Sequence, residues 1–282
     1  VGSIAEQAFD EPYGGFPPPE LAFRLHHQRM STNTATTRTQ ALKVLDRSPH
    51  LAEKRSRLLV PILLQWAGSV GDEDKTSDTE RWARKDQKAM LAVVAKFNNP
   101  RVLYRASEVH EALLKLCANG DVEIQTSALK AILAWKEPAL RRSEEHLNNF
   151  LDDARFREEI SVFLQGEGEE ALKPADHAAV MPVLLRLLYG RAVGSAKDNQ
   201  NSRRKAIFVA LSRFEPQVLG GFIDIATSKT QQEGESVSAE SLTMPLRQQV
   251  GMLNMVNDML ATLGSGLEPY AVQLANTALL CT

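Results

Sequence analysis

Apolar positions recur with helical spacing along most of the chain, most clearly between Glu108 and Trp135. Val109, Leu113, Leu116 and Cys117 fall at i, i+4, i+7 and i+8, and Ile124, Ala128, Ala131, Ile132 and Trp135 repeat the period. Asn119-Gly120-Asp121 separates the two stripes. Glycine there offers a left-handed residue to end one helix, and the aspartate offers a side chain to cap the next. The stretch predicts a helical hairpin. Isolated helices of this length are marginal in water, so its stripes need neighbours to pack against.

The flanks supply them. Leu51, Leu58, Ile62, Leu63 and Trp66 predict a long amphipathic helix, and Trp82, Ala89, Val93, Val94 and Phe97 predict another that stops at Asn98-Asn99-Pro100. Pro138 suits a first turn, with Leu140, Leu147 and Leu151 buried behind it. Asp152-Asp153 then stands where Asp121 stood, before Phe156, Ile160, Phe163 and Leu164, so a turn-plus-helix unit recurs. Asp176 is placed to cap a helix burying Val180, Met181, Leu184, Leu187 and Leu188, bent by Pro182 and ended by Gly190. Ile207, Ala210, Leu211 and Phe214 mark a further helix. Val218, Phe222 and Ile223 mark a short one, and Leu246, Val250, Leu253 and Leu260 a long one, before Pro269 opens the last.

Between these lie segments of a different kind. Residues 9–20 hold four prolines and two glycines, so an extended lead-in over 1–18 is expected, with a first helix from Pro19. The Ser/Thr-rich run Ser31 to Thr39 reads as a loop or a poor helix, and Gly71 to Lys75 as an acidic linker. Ser195 to Asn201 reads as a polar loop, and Thr227 to Thr243 as a mobile stretch. No run alternates apolar and polar residues as a strand would. Helices paired every 30 to 40 residues predict an all-α chain, an α-solenoid of HEAT or armadillo-like hairpins over 19–282. A compact irregular bundle is the alternative.

Composition narrows the class without naming a function. At 282 residues, 43% hydrophobic and 24% charged, the chain has material for a packed core. Net charge is -2, which advertises no global affinity for nucleic acid. Two cysteines, Cys117 and Cys281, make neither a disulfide framework nor a metal spacing, so a reducing compartment is expected. No apolar run reaches the roughly 18 residues of a membrane span, and no charged-then-apolar leader stands at the amino end, so a soluble, unsecreted protein without a membrane partner is expected. Val1 at the start and the apolar run before Thr282 suggest an internal segment of something longer.

Catalytic and metal chemistry find no foothold in the pattern. The adjacent His26-His27 diverge on a helix, and Glu144-Glu145, Asp152-Asp153 and Glu158-Glu159 read as solvated faces. Gly264-Ser265-Gly266 and Gly220-Gly221 lack the lysine and strand of a phosphate loop. The reading is no enzyme, no metal and no cofactor.

The central residues nonetheless resemble a known family. Pro100 to Tyr104, Gly120-Asp121 to Gln125 with Ala128 to Ile132, Phe156 to Glu159, and Leu184 to Arg191 are similar in order and kind to the "down-regulated in metastasis" family of U3 small nucleolar RNA-associated proteins. The likeness covers about 88–214 well and the helix from Leu246 more loosely. It implies a giant HEAT-repeat scaffold of the nucleolar small-subunit processome, without catalytic residues. Pre-ribosomal RNA or U3 small nucleolar RNA and other processome proteins are its implied partners, and the nucleus and nucleolus its location. A HEAT-type protein adaptor that touches no RNA, of the transport or phosphatase-scaffold kind, remains the alternative.

Local charge bears on that choice. From Met181 to Gly220 seven Lys/Arg face two acids, whereas Leu140 to Val180 has five basic and ten acidic residues. Arg186, Arg191, Arg203, Arg204, Lys205 and Arg213 are therefore the candidate RNA- or partner-binding residues, on helix ends expected to converge. The competing reading is an ordinary solvated helix face.

Overall fold

A computed structural model describes residues 34–69, 82–194, 200–234 and 246–281, and among them there is no strand. The predicted all-α solenoid is present. Helices α1 (Thr34–Arg47), α2 (Pro49–Lys54), α3 (Ser56–Ser69) and α4 (Arg84–Ala95) lead into the hairpin α5 (Ala106–Cys117) and α6 (Val122–Leu133). Three short helices follow, α7 (Pro138–Arg142), α8 (Glu144–Asn149) and α9 (Phe156–Glu159), the last running into a π turn at Ile160–Leu164. The chain closes with α10 (His177–Val193), α11 (Gln200–Leu211), α12 (Pro216–Gly234), α13 (Leu246–Leu263) and α14 (Ala271–Leu280).

These helices stack in two rows. One places α1 against α4 and α4 against α6, and beyond the short helices the π turn packs on α11 and α11 on α13. The other runs α3, α5, α10, α12, α14, each against the next. Pairing across the rows, α5 on α6 and α10 on α11, closes each hairpin. Helix α10 touches α5, α6, α7, α11, α12 and α13, and ten of its residues are buried, so it has no single apolar stripe. Pro182 and Gly190 both lie inside it, and the helix runs through Gly190 to stop at Gly194.

Gly190 is there because two helices cross closely. A Cβ on it would sit 2.2 Å from Gln125 Nε2 and 2.4 Å from the Asn119 carbonyl oxygen. Gln125, fully buried on α6, donates to the carbonyls of Cys117 (2.7 Å) and Leu187 (3.0 Å), tying α5, α6 and α10 together. The hairpin turn itself differs from the expectation. Asp121 caps α6 by accepting from Glu123 N at 2.9 Å, but Gly120 does not have a positive φ. The left-handed residue of this hairpin is Lys136 (φ 57), just past α6, and a second, Arg105 (φ 53), precedes α5.

Other expectations need revision. The Ser/Thr run is helical from Thr34 onward, as part of α1. The long helix expected around Leu51 to Trp66 breaks at Arg55 into α2 and α3. Leu51, Leu58 and Ile62 are exposed, whereas Leu59, Val60, Leu63, Trp66 and Ala67 are buried, a stripe rotated by one residue. On α13 the buried set is Met252, Met255, Val256 and Met259, and Leu246, Val250 and Leu260 face solvent. The short helix at Val218 is the 19-residue α12, which carries the supposedly mobile stretch to Gly234. Pro269 lies in a 3-10 turn, Gly264–Tyr270, ahead of α14. The lead-in 1–18, the helix from Pro19, His26-His27, the acidic linker, the loop 195–199 and residues 235–243 lie outside the described residues.

Candidate nucleic-acid interface

The six candidate cations separate into four groups. Arg191 ends α10, and Arg203 lies in the first turn of α11. Both donate through Nη2 to one oxygen of Asp153, in the turn after α8, Arg203 at 2.7 Å. Their guanidinium carbons stand 5.4 and 5.6 Å from the ring centre of Phe156, which is itself buried. The arginines are the enclosed partners: their side chains are 3% and 9% exposed against 68% for Asp153. Burial and the Arg191 charge pull the Arg203 pKa below its usual value, against the opposing pull of Asp153. Burial pushes the Asp153 carboxyl up, but the Arg191 hydrogen bond and the two positive charges outweigh it and hold the carboxyl below its ordinary range.

Arg204 turns the other way. Its Nε donates to the Ala192 carbonyl at 2.8 Å and its Nη1 to Asp258 at 2.7 Å, so it fastens the end of α10 to α13. Arg186 is half-buried and donates to the Pro182 carbonyl of its own helix at 2.7 Å, and burial lowers its pKa. Lys205, on α11, and Arg213, in the turn after it, are exposed. The expected convergence of open helix ends is thus corrected: Arg191 and Arg203 do meet, but on Asp153, and with Arg204 they are interior side chains. Such enclosed arginines need an anion or carbonyl partner, because an unpaired charge inside the protein is costly.

Sequence reasoning missed the other members of this cluster. Asp153 was expected to cap a helix, but it pairs with the arginines, and Asp152 instead accepts from Ala154 N at 2.9 Å. Arg157, exposed on α9, donates to Ser202 Oγ at 2.7 Å, next to Arg203. The one available signal was the position of Asp153 beside an aromatic residue, Phe156, that could seat two guanidinium planes.

Two further places merit description. Glu159 was expected on a solvated face with Glu158, yet it is buried, accepting from Asn149 Nδ2 at 2.9 Å and lying 2.5 Å from His146 Nδ1, whose ring stacks on Phe163. A groove of about 670 Å³ lies between Asn98–Arg101 and Ala134–Pro138. Its polar groups satisfy each other: Lys136 Nζ donates to the Asn98 carbonyl, and Arg101 to the Trp135 carbonyl and to Glu137. Among the described residues no cluster of three or more His, Cys, Asp or Glu is arranged to hold a metal ion, and no helix is long and apolar enough to cross a membrane.

Known proteins agree with the resemblance. Over 237 residues the chain is 30% identical to U3 small nucleolar RNA-associated protein 20 of Saccharomyces cerevisiae, covering 80% of the chain. Over 270 residues it is 28% identical to the protein of the same name in Schizosaccharomyces pombe, covering 90%. In each case the match spans 10% of the relative's length. The family model for the N-terminal part of U3 small nucleolar RNA-associated protein 20 matches residues 81–282, and the chain belongs to that family.

Proposed function

We propose that this chain is a non-catalytic structural segment of a nucleolar small-subunit assembly factor. It helps a larger scaffold hold pre-ribosomal RNA or U3 small nucleolar RNA, together with other processome proteins, during pre-rRNA processing. Family membership over residues 81–282 is the observation that carries this reading. The two-row stack suits it, since a solenoid presents a long surface whose side chains on successive helices meet an extended partner. Of the six candidates, Lys205 and Arg213 are the exposed cations offered to phosphate on that surface. Among the described residues exposed aromatic rings are few, Tyr104 being one, so recognition is of backbone and shape.

The test is to purify the tagged parent protein and identify what accompanies it. U3 small nucleolar RNA and pre-ribosomal RNA are expected. Recovery of protein partners alone, with no RNA, rejects the reading in favour of a protein adaptor. For this segment, Lys205→Glu combined with Arg213→Glu is expected to weaken single-stranded RNA binding. Loss of the two contacts should also flatten the slope of log affinity against log salt by about 1.4, at roughly 0.7 per phosphate. Both positions are exposed, so helicity measured in parallel should not change.

A further inference from the structure

The Asp153 cluster holds more positive charge than its one carboxylate neutralises. Arg191, Arg203 and Arg157 supply three guanidiniums against Asp153, a surplus of two positive charges. Within it the Arg191 Nε is buried and donates to nothing. A knot built only to join α9, α10 and α11 would gain from a second carboxylate and from a partner for that N–H. The arrangement is also inverted from the usual surface pair, with the cations enclosed and the anion in water. Both enclosed guanidiniums are oriented on the Phe156 ring, so the donors stand fixed before any ligand arrives.

We propose that Arg157, Arg191, Arg203 and Ser202 form a binding site for a phosphodiester of single-stranded RNA, which the exposed side chain of Asp153 occupies in the free protein as a built-in competitor. A phosphodiester carries the charge of a carboxylate and offers oxygens at a similar spacing, which suits the planar fork of arginine. Arg157 and the Ser202 hydroxyl, at the open side of the cluster, are the groups an incoming phosphate meets first. RNA gains this contact only by turning Asp153 outward, which its exposure permits. The proposal rests on the RNA reading given above and adds to it a particular site.

The sign of one substitution tests it. Asp153→Asn keeps an oxygen to accept from both arginines and removes the competing charge, so the full chain should bind a uridine oligomer roughly two- to fivefold more tightly, the range expected for one partly screened ion pair. Arg157→Gln, at an exposed position, should weaken the same binding and lower the salt slope by about 0.7. If Asp153→Asn keeps its helicity but binds RNA equally or less well, the cluster is purely structural and the proposal is overturned. Absence of RNA binding in the unsubstituted chain and in both variants rejects the RNA reading of this segment altogether. Binding of inorganic phosphate with no gain for the oligomer rejects the phosphodiester as the ligand.

Discussion

Single positions carry very different consequences depending on what their side chains meet. Gly190→Ala places a methyl within 2.4 Å of a backbone oxygen in the α6–α10 crossing, where only a shift of helix axes can relieve it. It should cost about 1–3 kcal/mol in urea unfolding, the usual penalty for overpacking. Gly120→Ala meets its nearest atom at 3.5 Å, an ordinary contact, and Gly120 has no positive φ. Its cost should be much smaller. Equal losses at the two positions would mean that the crossing at Gly190 is loose. His110 offers a second test at this scale. Burial first, then the charges of Arg186 and Arg101, lower its pKa below the ordinary 6.5, against the pull of Glu111. Folding therefore favours the neutral ring. That stability is full above about pH 6.5 and is lost as pH falls through the lowered folded value. His110→Gln should flatten the decline in Tm below pH 6.5, and an unchanged profile would remove His110 as its source.

At the scale of elements, the α5–α6 hairpin is tied to the stack by a side chain that caps one helix and binds an earlier one. Asp121 caps α6 and accepts from Arg84 of α4, while Lys88 of the same helix reaches Glu123. Because these partners are exposed, the cap should outweigh the ion pairs. Asp121→Ala should cost about 1 kcal/mol through the lost cap, and Asp121→Asn, which keeps a capping oxygen, should be close to the parent in high salt. Thermal unfolding of both variants at two salt concentrations distinguishes the contributions. Further along, Asp153 pairs with arginines instead of capping a helix and Asp152 serves only a local turn, so the hairpins are alike in stacking and unlike in capping.

Across the whole molecule, the interior of the two rows is mainly apolar, with a few enclosed polar ties, and other ties between successive helices are exposed ion pairs. Leu129, Leu147 and Leu184 are fully enclosed, whereas the Arg84, Lys96 and Arg101 pairs lie in solvent. Leu129→Ala should therefore cost about 2–5 kcal/mol, and raising salt should change Tm little. A steep loss of Tm with salt would place the stability in the charged rim instead. Far-UV circular dichroism should report a helical chain with strand content below about a tenth, against the fifth to a quarter usual for globular proteins.

The sequence alone determined that this protein is helical, where most of its helices lie, and that the α5–α6 hairpin has an aspartate cap. These properties depend on spacing within one segment: Val109, Leu113, Leu116 and Cys117 admit only one apolar face. Where adjacent apolar residues admit two faces, the sequence was silent. Leu58 with Ile62 and Leu59 with Leu63 fit the same helix, and only the packing of α3 on α5 chose the second pair for the interior. The tertiary structure likewise decided the fate of the basic sector. Arg191, Arg203 and Arg204 lie next to polar and small residues in sequence and read as open helix ends. Their partners, Asp153 and Asp258, come from 38 to 54 residues away and enclose them only once α9, α10, α11 and α13 have stacked. Burial of a charge depends on distant neighbours, which local periodicity does not encode.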